Sequence, residues 1–354
     1  MTAECLWDRL ARHERPIWIY GTGNGADKIL DVLEARGIPV DGVFASDGFV
    51  RSRTFRGFQV RSYSDALTQS GDDMTVLLAF GSRREDVIGF VRLLDRKHDL
   101  VIPEVPLCGG ELFDAAYCAR HLDDLEKARE LFSEERSRTL FDSAAAFRLT
   151  GRLDCLEDTE AMETSLLELL GSQRIRTVFD GGAFRGDSAS VFLRILNPEI
   201  LFAAEPDPMS FRKLAEFAQT VTGTKVVPVN AALWDSDTEI VYAAAGSRGS
   251  GEQARVRRAR ETRVDARKID TITADTPLDF LKLDVEGAEE RALHGAAATI
   301  LRDGPDLAVS IYHRTDDLYA LPLLVHSLLP SHRLFLRRVP CLPMWDLTLY
   351  AVKR

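Results

Sequence analysis

The stretch from Thr177 to Ser188 constrains the fold of this 354-residue chain more than any other part of the sequence. It reads TVFDGGAFRGDS, an apolar run that ends in Asp180 and continues into a glycine-rich turn. The apolar run predicts a buried strand, and the residues after Gly186 have the pattern of a helix. A glycine turn between a strand and a helix is typical of a parallel α/β sheet, in which ligands bind at the carboxyl ends of the strands.

Two series of alternating strands and helices occur along the chain. The first starts with the apolar run 17–20, which leads into the glycine turn 21–25. The second starts at Thr177, and the residues between the two series are rich in Leu, Ala, Glu and Arg, which favours helices. We therefore predict an α/β fold with three parts. These are a smaller Rossmann-like domain at residues 1–110, a helical connector at 111–172 and a second Rossmann-like domain at 173–354.

Composition excludes several classes of protein. The net charge of -10, from 45 Lys and Arg against 55 Asp and Glu, argues against a general nucleic-acid partner. The sequence shows neither a secretory signal nor an apolar run long enough to span a membrane. Its five cysteines are scattered and include no C-x-x-C pair, so no metal site is predicted. These features together predict a cytoplasmic protein without a membrane partner.

The acid before the glycine turn bears on which cofactor the turn binds. A dinucleotide site needs the pattern G-x-G-x-x-G, because its pyrophosphate lies against the N-terminus of the helix. S-adenosylmethionine has no phosphate and carries a sulfonium and an ammonium group, so a leading carboxylate attracts it. The pattern Asp180-x-Gly182-x-x-x-Gly186 therefore favours S-adenosylmethionine, although a plain tight turn is the structural alternative.

Two further strand ends support a nucleoside site. Glu205 follows the apolar run 200–204, a position from which a carboxylate accepts hydrogen bonds from ribose hydroxyls in both cofactor classes. Asn230 follows the run 226–229, where it would either border an adenine ring or occupy a turn. The predicted cofactor-binding residues are Asp180, Gly181, Gly182, Ala183, Gly186, Glu205 and Asn230.

A third group of polar residues is predicted to be catalytic. Asp284 follows the apolar run 280–283, and Glu286 and Glu289 come soon after it. Acids this close repel one another, a cost that function explains more readily than chance. His313 ends the next apolar run, and a histidine or carboxylate is suited to take the proton of a reacting hydroxyl. We predict Asp284, Glu286 and His313 as the catalytic residues, with a purely structural histidine as the alternative.

These motifs together resemble the FkbM family of S-adenosylmethionine-dependent O-methyltransferases. The segments that carry the resemblance are VFDGGAFRGDS, AAEPDP, VPVNAALWD, FLKLDVEGAEERALHGA and VSIYHRTDDL, in that order, and they cover about half of the chain. Membership would imply a class I Rossmann-like methyltransferase domain that methylates a hydroxyl of a sugar, a polyketide or a related secondary metabolite. It would also place Asp180, Gly182 and Gly186 in the cofactor loop and Glu205 at the ribose, with the predicted catalytic residues near the transfer site.

Two other functions stay open from the sequence. The turn Gly21-x-Gly23-x-x-Ala26 is an incomplete dinucleotide pattern, which allows an NAD(P)-dependent sugar-modifying oxidoreductase or epimerase. A non-catalytic S-adenosylmethionine-binding protein is the second alternative.

A basic segment indicates the kind of acceptor. The range 248–268 contains eight basic residues and only three acids. It is either a solvated loop or a lid that captures an anionic or glycosylated acceptor. The eight are Arg248, Arg255, Arg257, Arg258, Arg260, Arg263, Arg267 and Lys268. The sequence does not determine the oligomeric state.

Overall fold

The computed structural model describes residues 4–46, 50, 54–106, 108–171, 173–243 and 261–353. The chain divides into two compact units, each assembled from several segments. The first unit comprises Met1–Leu122, Leu140–Thr159 and Pro340–Trp345. The second comprises Asp123–Thr139, Glu160–Val339 and Asp346–Arg354. The residues of the predicted helical connector, 111–172, therefore contribute to both units.

The first unit is a Rossmann-like α/β domain. Its strands are β1 (Ile17–Tyr20), β2 (Gly42–Phe44), β3 (Thr54–Phe55), β4 (Phe58–Arg61), β5 (Thr75–Leu78) and β6 (Asp99–Val101). Its helices are α1 (Leu6–Ala11), α2 (Asn24–Ala35), α3 (Tyr63–Ser70), α4 (Glu85–Lys97) and α5 (Ala115–Arg120), with a 3-10 turn at Leu153–Leu156. In the described part of the chain the strand order is β3-β4-β2-β1-β5-β6, and all pairs are parallel except β3 with β4.

Gly25, in the glycine turn after β1, is required by close packing against the end of β5. A side chain at Gly25 would place its Cβ 2.4 Å from the backbone oxygen of Ala79, which follows β5. The first turn of α2 can therefore lie against the end of β5 only if this position is glycine. Asp47, at the end of the predicted second strand, lies outside the described residues.

The second unit contains the remaining elements. Its helices are α6 (Leu122–Glu130), α7 (Glu135–Thr150, which continues into the first unit), α8 (Met162–Leu170), α9 (Asp187–Ile195), α10 (Pro208–Thr220), α11 (Ile269–Thr273), α12 (Glu289–His294), α13 (Ala297–Asp303) and α14 (Asp317–Leu328). Its strands are β7 (Thr177–Gly181), β8 (Ile200–Ala204), β9 (Lys225–Val229), β10 (Ala232–Leu233), β11 (Thr238–Ala243), β12 (Glu261–Arg267), β13 (Phe280–Leu283), β14 (Asp306–Ser310), β15 (Arg333–Arg338) and β16 (Leu347–Val352).

The main sheet of this unit has a topological switch point between β7 and β13. Over the described residues its strand order is β15-β16-β14-β13-β7-β8-β9, with a smaller sheet of order β10-β12-β11 beside it. The strands from β14 to β9 run parallel, whereas β16 runs antiparallel to both β14 and β15. The chain builds outward from β7 through β8 to β9, and then returns to place β13 on the other side of β7. Open α/β sheets bind ligands where the strand order reverses in this way.

Burial on both faces fixes the central strands. Every residue of β7 and β13 is buried, as expected for parallel strands that helices cover on both sides. Phe192 of α9 packs edge-on against Phe280 of β13, with ring centroids 5.5 Å apart. The buried residues of this core are Leu166, Leu170, Ile175, Val178, Ala189, Phe192, Leu201, Phe280, Ala308, Phe335, Tyr350 and Val352. These features confirm the predicted α/β class and the Rossmann-like fold of the C-terminal half.

A buried arginine holds the edge strand β15 against the helices of the same unit. The side chain of Arg337 is 1% exposed, and its guanidinium lies 2.6 Å from Glu134, 3.2 Å from Glu160 and 3.1 Å from Glu168. A guanidinium presents five N–H donors in a planar fork, so one side chain can satisfy several carboxylates.

Two helices, α12 and α13, follow Asp284 and are separated at Gly295. The oxygen of Gly295 accepts a hydrogen bond from the backbone of Asp270, and its missing Cβ admits the backbone oxygen of Trp234. These contacts replace the continuation of the helix. Across the described residues, the model contains no helix that is both long and apolar enough to cross a membrane.

Candidate active site

The glycine loop after β7 is fixed by its own backbone geometry. Gly182 has φ +75°, and a Cβ there would lie 1.9 Å from the backbone oxygen of Asp284. Gly186 has φ +100°, and a Cβ there would lie 2.6 Å from the ring of Phe217. The N–H of Gly182 also donates to the oxygen of Ala204 at the end of β8. Neighbouring protein atoms therefore require these glycines, independently of any ligand that approaches the loop.

Asp180 anchors this loop from inside the protein. Its carboxylate is fully buried, 3.0 Å from the Nζ of Lys282 and 2.6 Å from the Oγ of Ser188, which donates to it. The register of β7 and β13 pairs Lys282 directly with Asp180. Lys282 also donates to the backbone oxygens of Gly181 and Gly182. The charge of Asp180 is thus balanced by a protein cation.

Glu205 occupies the end of β8, facing the glycine loop. Its Oε2 accepts the N–H of Phe184 at 3.0 Å, and its Oε1 accepts the N–H of Asp207 at 2.8 Å. Burial raises the pKa of Glu205 to about 7, and the two backbone hydrogen bonds offset only part of that rise. Each oxygen keeps a lone pair for a further donor.

Asn230 and Ala183 complete the predicted cofactor-binding residues. The side chain of Asn230 donates from Nδ2 to the backbone oxygen of Glu205 at 2.8 Å. Asn230 is exposed, and this hydrogen bond links the ends of β8 and β9 at the surface. Ala183 is fully buried and packs with Ala203 and Leu214. The structure thus collects all seven predicted residues at the carboxyl ends of β7, β8 and β9.

The predicted catalytic residues lie together at the ends of β13 and β14. The Nε2 atom of His313 is 3.5 Å from the Oδ1 of Asp284 and 3.5 Å from the Oε2 of Glu286. Its Nδ1 atom is 2.9 Å from the Oε1 of Glu289. Tyr312 donates its hydroxyl hydrogen to the Oδ1 of Asp284 at 3.1 Å. One imidazole therefore lies among three carboxylates.

Glu289 shapes the loop that carries two of these carboxylates. It is fully buried, and its two oxygens accept the N–H groups of Val285 at 2.8 Å and Gly287 at 3.0 Å. Between them, Glu286 has φ +55°, a left-handed conformation that costs a non-glycine residue about 1–3 kcal/mol. Strain of this size persists where surrounding contacts enforce it, and such places are often functional.

The carboxylates control the charge of the imidazole. Burial lowers the pKa of His313, but Glu289, Asp284 and Glu286 outweigh that effect and raise the pKa to about 9. In the absence of a ligand, His313 therefore carries a proton on both ring nitrogens at neutral pH.

Sequence reasoning assigned no role to three residues that the structure places in the site. Glu289 was noted only as one acid among three, and neither Tyr312 nor Lys282 was singled out. A signal existed for Lys282, since a lysine inside the apolar run 280–283 must be buried, and a buried lysine needs a carboxylate partner. The partner itself depends on the register of two strands.

Most of the basic segment falls outside the described residues, which exclude Arg248, Arg255, Arg257, Arg258 and Arg260. Of the rest, Arg263 lies 3.9 Å from Glu239, and Arg267 lies 3.6 Å from Asp265.

The strand order and the acids at three adjoining strand ends are those of a Rossmann-like ligand-binding domain. Residues 180–338 match the family model of the methyltransferase FkbM domain. This match identifies an S-adenosylmethionine-dependent methyltransferase domain in the chain, as its motifs predict. No protein of curated function matches the sequence significantly.

Solved structures share the fold. The chain is similar to the methyltransferase FkbM from Methylobacillus flagellatus KT, at 20% identity and a TM-score of 0.71, over 98% of this chain and 92% of that one. A fibrillarin from Aeropyrum pernix, in complex with natively bound S-adenosyl-L-methionine, is similar at 14% identity and a TM-score of 0.32, over 51% of this chain and 67% of that one. An rRNA methylase from Streptococcus thermophilus is similar at 13% identity and a TM-score of 0.35, over 54% and 93%. The first match supports the fold along nearly the whole chain, and the other two scores are too low to support an argument.

Proposed function

We propose that this protein transfers a methyl group from S-adenosylmethionine to a hydroxyl group of a sugar, a polyketide or a related small molecule. The observation that carries the proposal is a direct link between the glycine loop and the acidic cluster. The backbone N–H of Asp284 donates to the oxygen of Gly181 at 3.0 Å. A group held by the loop and a group held by Asp284 would therefore be neighbours.

The residues at the ends of β7 and β8 suit this cofactor. Bound S-adenosylmethionine supplies an electrophilic methyl group. Glu205 fits the ribose, because both of its oxygens contact backbone donors in the structure and each retains a lone pair for a hydroxyl hydrogen. The side chain of Asn230 makes its two backbone contacts through Nδ2. Its amide oxygen is therefore suited to accept a hydrogen bond from the adenine ring of the cofactor. Asp180 holds the loop in shape through its ion pair with Lys282.

Asp284 is the group best placed to receive the proton of an acceptor hydroxyl. Its side chain is 15% exposed, whereas that of His313 is 3% exposed, so Asp284 is the more accessible of the two. Tyr312 positions its carboxylate through a hydrogen bond, and the Nε2 of His313 lies 3.5 Å from the same oxygen. Glu286, 42% exposed, lies where it can accept a hydrogen bond from a polyhydroxylated acceptor. Positioned proton transfer typically accelerates a reaction about 10²- to 10⁴-fold.

We extend the proposal to acceptors that carry a negative charge. The excess of basic residues in the range 248–268 supports this extension, since guanidinium groups pair well with phosphate. Nucleotide sugars and phosphorylated carriers have this chemistry.

Two measurements test the proposed function. Calorimetry with S-adenosylmethionine, S-adenosylhomocysteine and NAD, each added alone, should show binding of the first two only. Incubation of fractionated cell extract with enzyme and methyl-labelled cofactor should then reveal a labelled hydroxyl compound by mass spectrometry. Tight NAD binding without S-adenosylmethionine binding would overturn the proposal.

The variant Asp284→Asn separates chemistry from cofactor binding. It should lower turnover on the identified acceptor about 10²- to 10⁴-fold, while the affinity for S-adenosylhomocysteine stays close to that of the wild type. Glu290→Gln is the matched control, because Glu290 is an exposed acid of the same region and lies outside the cluster. Unchanged turnover in a folded Asp284→Asn variant would exclude Asp284 as the proton acceptor.

A further inference from the structure

The imidazole of His313 is buried, and its surroundings do not satisfy its ring nitrogens. His313 is 5% exposed, and neither ring nitrogen makes a well-aligned hydrogen bond with any residue that the structure describes, although Nδ1 lies 2.9 Å from Glu289. The oxygens of Asp284 and Glu286 are each 3.5 Å from Nε2, beyond the usual range of an N–H···O hydrogen bond. A buried polar atom left in this state is costly, and in native proteins it usually has a partner such as water or an ion.

The distances agree with those between ligands that share a metal ion. Ligand bonds to Zn²⁺ and similar ions are about 2.0–2.2 Å long, so neighbouring ligand atoms are about 3.4 Å apart in tetrahedral geometry and about 3.0 Å apart in octahedral geometry. The two distances of 3.5 Å from Nε2 match the tetrahedral case. Both distances from Nε2 therefore have the length that ligands of one shared ion require.

The other ring nitrogen has the partner that metal-binding histidines usually have. Nδ1 lies 2.9 Å from Glu289, whose carboxylate is itself fixed by two backbone N–H groups. A metal-bound histidine almost always donates its second N–H to a carboxylate, a carbonyl or a water, which sets the orientation of the ring. Glu289 therefore orients the ring of His313 so that Nε2 faces Asp284 and Glu286.

We propose that Asp284, Glu286 and His313 bind one divalent cation, with Glu289 as the residue that positions the imidazole. One nitrogen and two carboxylate oxygens suit ions that accept mixed ligands, such as Zn²⁺ and Mn²⁺. Three acids against a single imidazole also leave the cluster negatively charged, which a divalent cation neutralises. Glu286 is 42% exposed, so the cluster reaches the solvent on that side. The binding of the ion does not depend on the proposed methyl transfer. In methyl transfer the ion would hold the oxygen of the acceptor, and this role rests on the proposed function.

The test is direct titration of the chelator-treated full-length protein with Zn²⁺ and with Mn²⁺. Calorimetry for both ions, and electron paramagnetic resonance for Mn²⁺, should show one saturable site per chain. Glu286→Gln should weaken binding about tenfold or more, the usual effect of altering a metal site. Because Glu286 is exposed, this variant should fold like the wild type, and circular dichroism checks that directly. Glu290→Gln removes a neighbouring negative charge and should change the affinity less than twofold.

Two results would overturn the inference. One is the absence of a saturable site in the wild-type protein for either ion. The other is a Glu286→Gln variant whose affinity stays within twofold of the wild-type value. The proposed function fails separately, since a protein that binds the ion but neither binds nor uses S-adenosylmethionine would refute methyl transfer alone. A protein that transfers methyl groups but binds neither Zn²⁺ nor Mn²⁺ would refute the cation site alone.

Discussion

The buried carboxyl of Glu205 makes a quantitative prediction about stability and pH. Its pKa is about 7 in the folded protein, against a value near 4.5 when exposed. Between these values the folded protein retains a proton that the unfolded chain has released. Stability therefore falls as the pH rises through this window, because the folded state binds more protons than the unfolded state. One unit of pKa is worth about 1.4 kcal/mol, so the full difference is about 3 kcal/mol, most of which falls between pH 5 and pH 8.

The variant Glu205→Gln removes this titration. Its amide adds a constant cost, since one of its two polar atoms is an NH₂ that faces a backbone N–H. The informative quantity is therefore the change with pH. Urea denaturation at pH 5 and pH 8 should show that the variant gains about 2–3 kcal/mol relative to the wild type as the pH rises. Glu290→Gln, which alters an exposed acid, serves as the control. A difference that stays constant from pH 5 to pH 8 would refute the raised pKa.

The same carboxyl links cofactor binding to proton release. Hydrogen bonds from ribose hydroxyls stabilise the ionised form, so they should lower the pKa of Glu205. Binding of S-adenosylhomocysteine at pH 7 should then release roughly half a proton per chain. Calorimetry in two buffers of different ionisation enthalpy measures this number, and Glu205→Gln should abolish it. Tight binding without proton release would show that the ribose is held by another group.

Three substitutions in the second unit test the contacts that support the site. Lys282→Met leaves Asp180 buried without its cation and should lower the free energy of unfolding by about 3–5 kcal/mol, as measured by urea denaturation. Gly186→Ala should cost about 1–3 kcal/mol, since its Cβ meets an aromatic ring at a positive φ; an unchanged midpoint would contradict that geometry. Arg337→Met should cost about 3–5 kcal/mol, whereas Arg194→Met, which breaks an exposed ion pair, should cost at most about 1 kcal/mol. Equal effects of the two arginine variants would refute the structural role of the buried one.

The strand ends could be predicted from sequence because the pattern of a parallel α/β unit is local. An apolar run, an acid and a glycine turn place Asp180 at the end of a strand, and the same reasoning places Glu205 and Asp284. Parallel strands share one carboxyl edge, so three such acids must lie at the same side of the sheet. The structure places them there.

The roles of these residues could not be predicted, because they depend on contacts between distant segments. Glu289 shapes the loop around Glu286 through hydrogen bonds that require both the helix start and the end of β13. The glycine turn after β7 predicts a ligand site. The atoms that would clash with a Cβ at Gly182 and Gly186, however, belong to Asp284 and Phe217. A sequence shows that a position needs glycine, but not which neighbour demands it.

The contrast between Asp180 and Glu205 shows why charge is harder to infer than position. Both acids end neighbouring buried strands, and both were predicted as members of one cofactor site. The register of β13 places the Nζ of Lys282 3.0 Å from Asp180, so that carboxyl has a cation of the protein as its partner. Glu205, one strand further away, has backbone N–H groups as its close partners, and burial raises its pKa to about 7. Two neighbouring strand ends therefore hold acids of different kinds: Asp180 is paired with a cation of the protein, and Glu205 is a carboxyl whose charge a bound ligand can change.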